Sequence, residues 1–313
     1  MYWTFKIGRT ENSLLIINDI SVFCWFQWSV MWIYLFWMGV FIAISIIALW
    51  LGHLAYCLLF AATDFNSIYI YLHIFIQTFL YTGLFITGHD AMHGAISGNR
   101  KLNDLAGKIS TTLFAFLSFR MLSKKHYMHH LFPASEKDPD FSIKSNNFFV
   151  WWFSFMRNYI TWWQILFMAV TFNILTIWFS EVRVIFFWAL PAVLSTFQLF
   201  FFGTWLPHRR PLTEDMKPHN ARSLRRNHFI AMLSCYFFGY HREHHQSPTT
   251  PWWQLYRLKK KGLWKALIIK GWKMGLEPTT SGTTIQRSNQ LNYIHHLFCG
   301  CKYNILFFLC NKK

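Results

Sequence analysis

Negative charge is what this sequence has least of: 13 Asp and Glu stand against 30 Lys and Arg among 313 residues, a formal net charge of +17. Charged residues of both signs reach only 14%, against about 25% in an ordinary soluble chain. That shortage excludes a disordered chain, which stays in solution by replacing apolar residues with charge. Paired cysteine is missing too. Cys24, Cys57 and Cys235 are scattered through apolar sequence, Cys299, Cys301 and Cys310 crowd near the C-terminus, and none forms a Cys-x-x-Cys pair. A disulfide scaffold, a thiolate zinc site and a four-cysteine iron–sulfur cluster are poor readings as a result. Nor is there a Gly-x-Gly-x-x-Gly fingerprint, so the sequence offers no nicotinamide or flavin site of its own.

Apolar and aromatic residues fill the gap. Hydrophobic residues make up 54%, with 17 Trp and 34 Phe, more than a water-soluble core of this size can hide. The excess must face lipid. The basic residues lie between long apolar runs, where they mark membrane loops; nucleic acid is therefore not the expected partner. The fold class this implies is an all-α integral membrane protein.

A spanning helix needs about 20 mostly apolar residues. Four segments meet that need: 36–62, 67–88, 161–180 and 184–205, the last with Pro191 predicted to kink it. Ser21 to Ala62 is one long apolar stretch, and its Trp-rich start (Trp25, Trp28, Trp32) is read as interfacial, although two spans there would change the parity. Residues 102–119 suit a partly embedded helix. The turns at Asp64 and Glu181 carry almost no basic residues, while the segments after the second and fourth spans carry nearly all of them. The positive-inside rule then puts both termini and both large loops in the cytoplasm. Three regions follow: an interfacial segment 1–35, a membrane domain 36–261, and an appended tail 262–313.

Histidine is the unusual abundance. Fifteen are present, and most of them cluster: His89-Asp90-Ala91-Met92-His93, His126-Tyr127-Met128-His129-His130 and His241-Arg242-Glu243-His244-His245. Residues three and four apart share a helix face, so each cluster aims its imidazoles at one place. A neutral imidazole offers one lone pair to a metal while its other nitrogen is oriented by an acceptor. Eight such rings exceed the three protein ligands of a catalytic zinc and suit two ions held in a helical cap at the cytoplasmic face. Imidazole alone leaves iron, copper, zinc and nickel open. His208, leaving the fourth span on the same side, is a candidate ninth ligand; His219 and His228 are weaker ones. His53 and His73, lone in apolar spans, read as hydrogen-bonded packing, and His295 and His296 as bystanders. Asp90, Asp138, Asp140 and Glu243 are candidate acceptors behind the ligands, and each fits a helix cap or a solvated loop charge equally well.

These clusters resemble the histidine boxes of the membrane fatty-acid desaturase and hydroxylase superfamily, whose histidines bind two irons. The words around them (Phe85 through Gly94, Asp138-Pro139-Asp140-Phe141, Phe202 through Arg209, His219 through Ser223, Tyr240 through His245, and Pro251-Trp252-Trp253) are similar to those of bacterial-type β-carotene 4-ketolases. The similarity runs from roughly Phe41 to Arg257 and adds Asn220 and Arg222 to the site. It implies a di-iron, O2-dependent oxygenase acting on a lipid-soluble carotenoid with a β-ionone ring. Two successive hydroxylations at ring carbon 4 would give a geminal diol and then a ketone. It also implies electrons from a separate donor protein, such as ferredoxin fed by NAD(P)H. Rival readings are a fatty-acyl desaturase or hydroxylase, a carotenoid hydroxylase stopping at the alcohol, a membrane zinc protease built on His89 and His93, and a metal transporter. The protease would lack its usual Glu base and leave two clusters unemployed. A transporter places its ligands nearer the bilayer midplane.

Overall fold

The computed structural model describes residues 37–260 apart from Arg226. The interfacial segment 1–35 and the tail 262–313 lie outside the described residues. Among the described residues every regular element is helical. Ten helices, α1 to α10, follow in chain order: Trp37–Leu59, Ile68–Met92, Arg100–Ala115, Phe119–Leu131, Phe148–Tyr159, Trp162–Trp178, Glu181–His208, His228–Cys235, His241–Gln246 and Leu255–Lys260.

Three of these, α1, α2 and α7, are long and apolar enough to cross a membrane, with 23, 25 and 28 residues. Two bent pairs raise the number to as many as five: α3 meets α4 at 100° and α5 meets α6 at 92°. The four spans read from sequence fall inside this range, but the third, 161–180, is a 17-residue helix that passes as a span only together with α5. At 17 residues α6 reaches about 26 Å, short of a ~30 Å hydrocarbon core. Ile160 and Thr161 adopt extended backbone between α5 and α6, and the Thr161 side chain accepts from the Gln164 amide to start α6 afresh. Along α6 the buried residue is the polar Gln164, while Ile177 and Trp178 are 74% and 78% exposed. That inversion is what a lipid solvent demands.

At Pro191, where the sequence predicts a kink, the helix widens into a π turn at Ile185–Ala189 just before the proline, and it does so again at Phe201–Trp205 just before Pro207. Proline has no N–H, and its ring crowds the carbonyl four residues back. A wider turn relieves that crowding.

α2 is the axis of the molecule. Its second half is buried continuously from Leu80 to Leu84 and from Ile86 to Ala91. It packs against α3 where Gly88 and Gly107 remove side chains from the crossing: a β-carbon on Gly88 would lie 2.7 Å from the Thr111 methyl, and one on Gly107 2.8 Å from that of Ala91. Across to α7 and α8, the Thr82 hydroxyl donates to Gln198 Oε1 at 2.6 Å and Gln198 Nε2 donates to the Ser234 carbonyl at 2.6 Å. At the other end, Arg183 of α7 donates to the Leu58 and Leu59 carbonyls that close α1. Free helix-end carbonyls need such a donor where no water reaches them.

Candidate metal centre

Each histidine cluster sits where a helix has just been fixed. α2 ends on the first, with His89 buried in its last turn and His93 as the residue that closes it. Ser118 accepts from the Met121 amide to start α4, which then carries His126, His129 and His130 on successive turns. The third cluster occupies the six-residue α9, too short to form alone. A tight turn aims it. Tyr236 and Phe237 both take left-handed backbone, with φ of 48° and 60°. Such a conformation costs non-glycine residues about 1–3 kcal/mol each. Tyr236 is held by stacking on Phe79 at 4.3 Å, and Phe237 by stacking on Tyr240 at 5.7 Å.

Nine imidazoles meet. His89, His93, His126 and His244 offer nitrogens within 4.8 Å of one another, and so do His129, His208, His241 and His245. His130 lies between the two sets. Its Nε2 is 3.0 Å from His126 Nε2 and 3.0 Å from His244 Nε2, while its ring packs on His245 at 4.2 Å. Further close pairs are His93–His126 at 2.7 Å, His129–His245 at 3.1 Å and His245–His241 at 3.1 Å. The chemistry of this donor set fits two metal ions. Nitrogens bound side by side to one ion at about 2.1 Å lie about 3.0 Å apart, which is the spacing found. His89 Nε2 and His208 Nε2 are buried without a protein partner, while the other nitrogen of each is already engaged.

The groups behind the imidazoles are more specific than sequence indicated. His129 Nδ1 lies 3.0 Å from both oxygens of Asp138, whose carboxylate also accepts from the Ala134 and Asp140 amides. Asp140 stands 3.8 Å from the same nitrogen and accepts from the Tyr159 hydroxyl. The Trp151 indole donates to the Asp140 carbonyl at 2.7 Å. Asp90 lies 3.3 Å from His89 Nδ1 and accepts from the Trp252 amide at 2.9 Å, so it joins the first cluster to the segment after the third. His208 Nδ1 donates to the backbone carbonyl of Asn220 at 2.9 Å; the Asn220 side chain turns away to Pro133. A left-handed φ of 48° at Asn220 presents that carbonyl. Arg222 touches no imidazole. It ties the loop after His208 by donating to the Arg209 and Pro211 carbonyls. Glu243 is buried on α9, and its Oε2 has no partner. His219 comes within 5.8 Å of the His245 ring without joining either set, and His228 pairs with the Tyr240 hydroxyl.

Burial, then neighbouring imidazoles, pushes His126, His130, His241, His244 and His245 well below the ordinary histidine range. They are held neutral, the state in which a ring nitrogen can bind metal. Burial acts the same way on His129, but the adjacent Asp138 carboxylate outweighs it and raises that ring. Phe238 closes the site on another side, its ring 4.8 Å from His89 and 5.3 Å from His241. It has room only because residue 203, in the second π turn, is glycine, where any β-carbon would strike the Phe238 ring.

Histidine sets of this kind at the ends of apolar helices are accompanied by a match to fatty acid desaturases over residues 66–161 and 155–274. The chain belongs to the fatty acid desaturase family. Within that family it is 41% identical over 202 residues to the beta-carotene 4-ketolase 3 of Haematococcus lacustris, covering 60% of this chain and 62% of that protein. It is 37% identical over 234 residues to the zeaxanthin 4-ketolase of Chlamydomonas reinhardtii, covering 69% of this chain and 52% of that one. The beta-carotene ketolase of Paracoccus sp. (strain N81106 / MBIC 01143) is 36% identical over 221 residues, covering 70% of this chain and 90% of its own length. The chain thus spans between half and two thirds of the algal relatives and most of the bacterial one. No solved structure matches it.

Proposed function

We propose that this desaturase-family chain is a membrane di-iron oxygenase that converts the β-ionone ring of a carotenoid, β-carotene in the first instance, to a 4-keto product. The observation that carries the reading is the pair of adjoining histidine sets at one end of the apolar helices. The ketolase names of relatives 36–41% identical support the substrate class over an acyl chain. His89, His93, His126, His130 and His244 would hold one ion, and His129, His208, His241 and His245 the other. Bound iron would supply the activation of O2, a hard redox step that no side chain here can perform.

The protein's own residues do the rest. Asp138 and the Asn220 carbonyl hold the Nδ1 protons of His129 and His208, fixing which nitrogen faces inward. Phe238 and the close-packed α2–α3 crossing keep bulk water from the site. Lipid-facing apolar helices let a membrane-dissolved substrate approach sideways. Each hydroxylation consumes one O2, two electrons and two protons and releases one water. Two at the same carbon give a geminal diol, which loses water to the ketone. The electrons come from a separate donor protein, and the basic segment carrying Arg120, Lys124 and Lys125 on α4 offers it a docking surface on the cytoplasmic side. Expression in cells that make β-carotene, with iron and reductant available, tests the proposal: echinenone and canthaxanthin are expected. Stalling at 4-hydroxy products would overturn the ketolase reading and leave the metal centre standing.

A further inference from the structure

The histidines that sequence left isolated in the membrane are not isolated. His53 and Cys57 share one face of α1, four residues apart, and meet His73 of α2. One donor atom from each lies within 4.8 Å of the others. His53 Nε2 is 3.2 Å from His73 Nδ1 and 3.7 Å from Cys57 Sγ. The other nitrogen of His53 is taken: it lies 2.6 Å from Gln77 Oε1, which fixes the ring and turns Nε2 toward His73, with Cys57 Sγ beside the ring at 3.7 Å from Nε2 and 3.8 Å from Nδ1. Cys57 and Gln77 are fully buried, Cys57 is a free thiol, and Gln77 Nε2 has no partner. This group is separate from the nine histidines. His73 and His89 are 16 residues apart on one helix, about 24 Å along its axis.

We propose that His53, Cys57 and His73 form a second metal site, at the opposite end of α2 from the histidine sets, selective for a soft monovalent cation: Cu(I). Thiolate with imidazole suits copper or zinc. The surroundings decide between them. Binding releases the thiol proton, so Cu(I) with one thiolate leaves the site neutral, whereas Zn(II) leaves a net positive charge among apolar helices. A buried charge without a partner is costly in hydrocarbon, and no carboxylate belongs to this group to offset it. The bound ion staples α1 to α2 where each helix contributes ligands.

Untagged full-length protein with Cys24, Cys299, Cys301 and Cys310 replaced by Ser is purified in detergent under reducing, anaerobic conditions. It is titrated with Cu(I) against a chromogenic cuprous chelator. One equivalent should be retained that Cys57→Ser and His73→Ala each lose and His244→Ala keeps. Both losing variants should hold normal iron, which reports their folding. Copper-edge X-ray absorption on the protein with Cys57 intact should show a sulfur neighbour, a readout independent of any variant at this site. Nitrogen-only coordination, or equal copper uptake with and without Cys57, overturns the site. Displacement of the copper by equimolar zinc overturns the choice of a monovalent ion.

Discussion

His93, His126 and His130 sit partly open beside His89 and His244, whereas His129, His208, His241 and His245 are all shut away from solvent. The two sets also differ in what stands behind them. The open set draws on α2, α4 and α9, and Asp90 stands behind its His89 at 3.3 Å. The closed set has a carboxylate behind His129, bound through both oxygens, and a carbonyl behind His208, while Nδ1 of His241 and of His245 is buried without a partner. The halves therefore differ chiefly in access, with two of the four closed rings fixed from behind. If the centre handles O2 and a carotenoid ring as proposed, the open set is where the substrate would approach, and the closed set the anchor.

The bluntest way to probe that division is to remove a ring from each half. Replacing either His129 or His244 by Ala should abolish keto product in carotene-producing cells. Iron content should fall in both without vanishing, because His129→Ala removes a ring from the closed set only and His244→Ala one from the open set only. About half the iron should survive in each variant if the sets bind independently. Full ketone output from either variant would remove these rings from the chemistry altogether.

A subtler cut leaves every ligand in place. Asp138→Asn keeps the shape and a hydrogen bond but removes the charge that sustains His129. Changes behind a metal-bound histidine typically cost 10–100-fold in metal affinity or activity. A loss of that order, confined to one of the two irons, is expected. Asp90→Asn should affect the other iron more weakly, since its contact with His89 is the longer one. Equal losses from both irons in both variants would show that the halves do not bind separately.

What could be read from sequence divides along similar lines. The three clusters were legible because helical spacing alone puts their rings on one face, and His208 because it leaves a span beside them. The role of Asn220 was not, since it acts through its backbone carbonyl and side-chain chemistry gave no sign of it. The breaks at Ile160 and Thr161 and the π turns before Pro191 and Pro207 were also hidden: apolar composition does not record backbone direction. The meeting of His53, Cys57 and His73 depends on the register between two helices, which no single segment encodes.

Acidity tests the neutral rings as a group. His126, His130, His241, His244 and His245 have folded values pushed below the ordinary one of about 6.5, so below that pH the unfolded chain gains protons that the folded chain refuses. His129, raised by Asp138, works the other way, adding stability below about 6.5 that is lost as pH rises through its folded value. Burial pushes the Asp140 carboxyl up to about 6, so it too favours the folded state as pH falls; five rings outweigh one ring and one carboxyl. The metal-free protein should therefore melt at lower temperature as pH falls from about 7 to about 5. A melting temperature that rises over that interval would mean the rings are charged in the folded state.

The smallest effect is expected at the edge of the closed set. His219 lies 5.8 Å ring to ring from His245, the same separation as His129 and His241 within the closed set, yet none of its nitrogens joins the converging group. It is also only half-buried, on the loop that presents the Asn220 carbonyl to His208. If proximity to the rings were enough, His219→Ala should cost an iron. If what matters is a nitrogen aimed inward and an acceptor fixing the ring from behind, the variant should keep both irons and ketone output within about twofold, the scale of ordinary surface substitutions of about ±0.5 kcal/mol. Loss of one iron in His219→Ala, with Asn220 and His208 still in place, would add a half-buried fifth ring to the closed set and weaken the contrast in access between the halves.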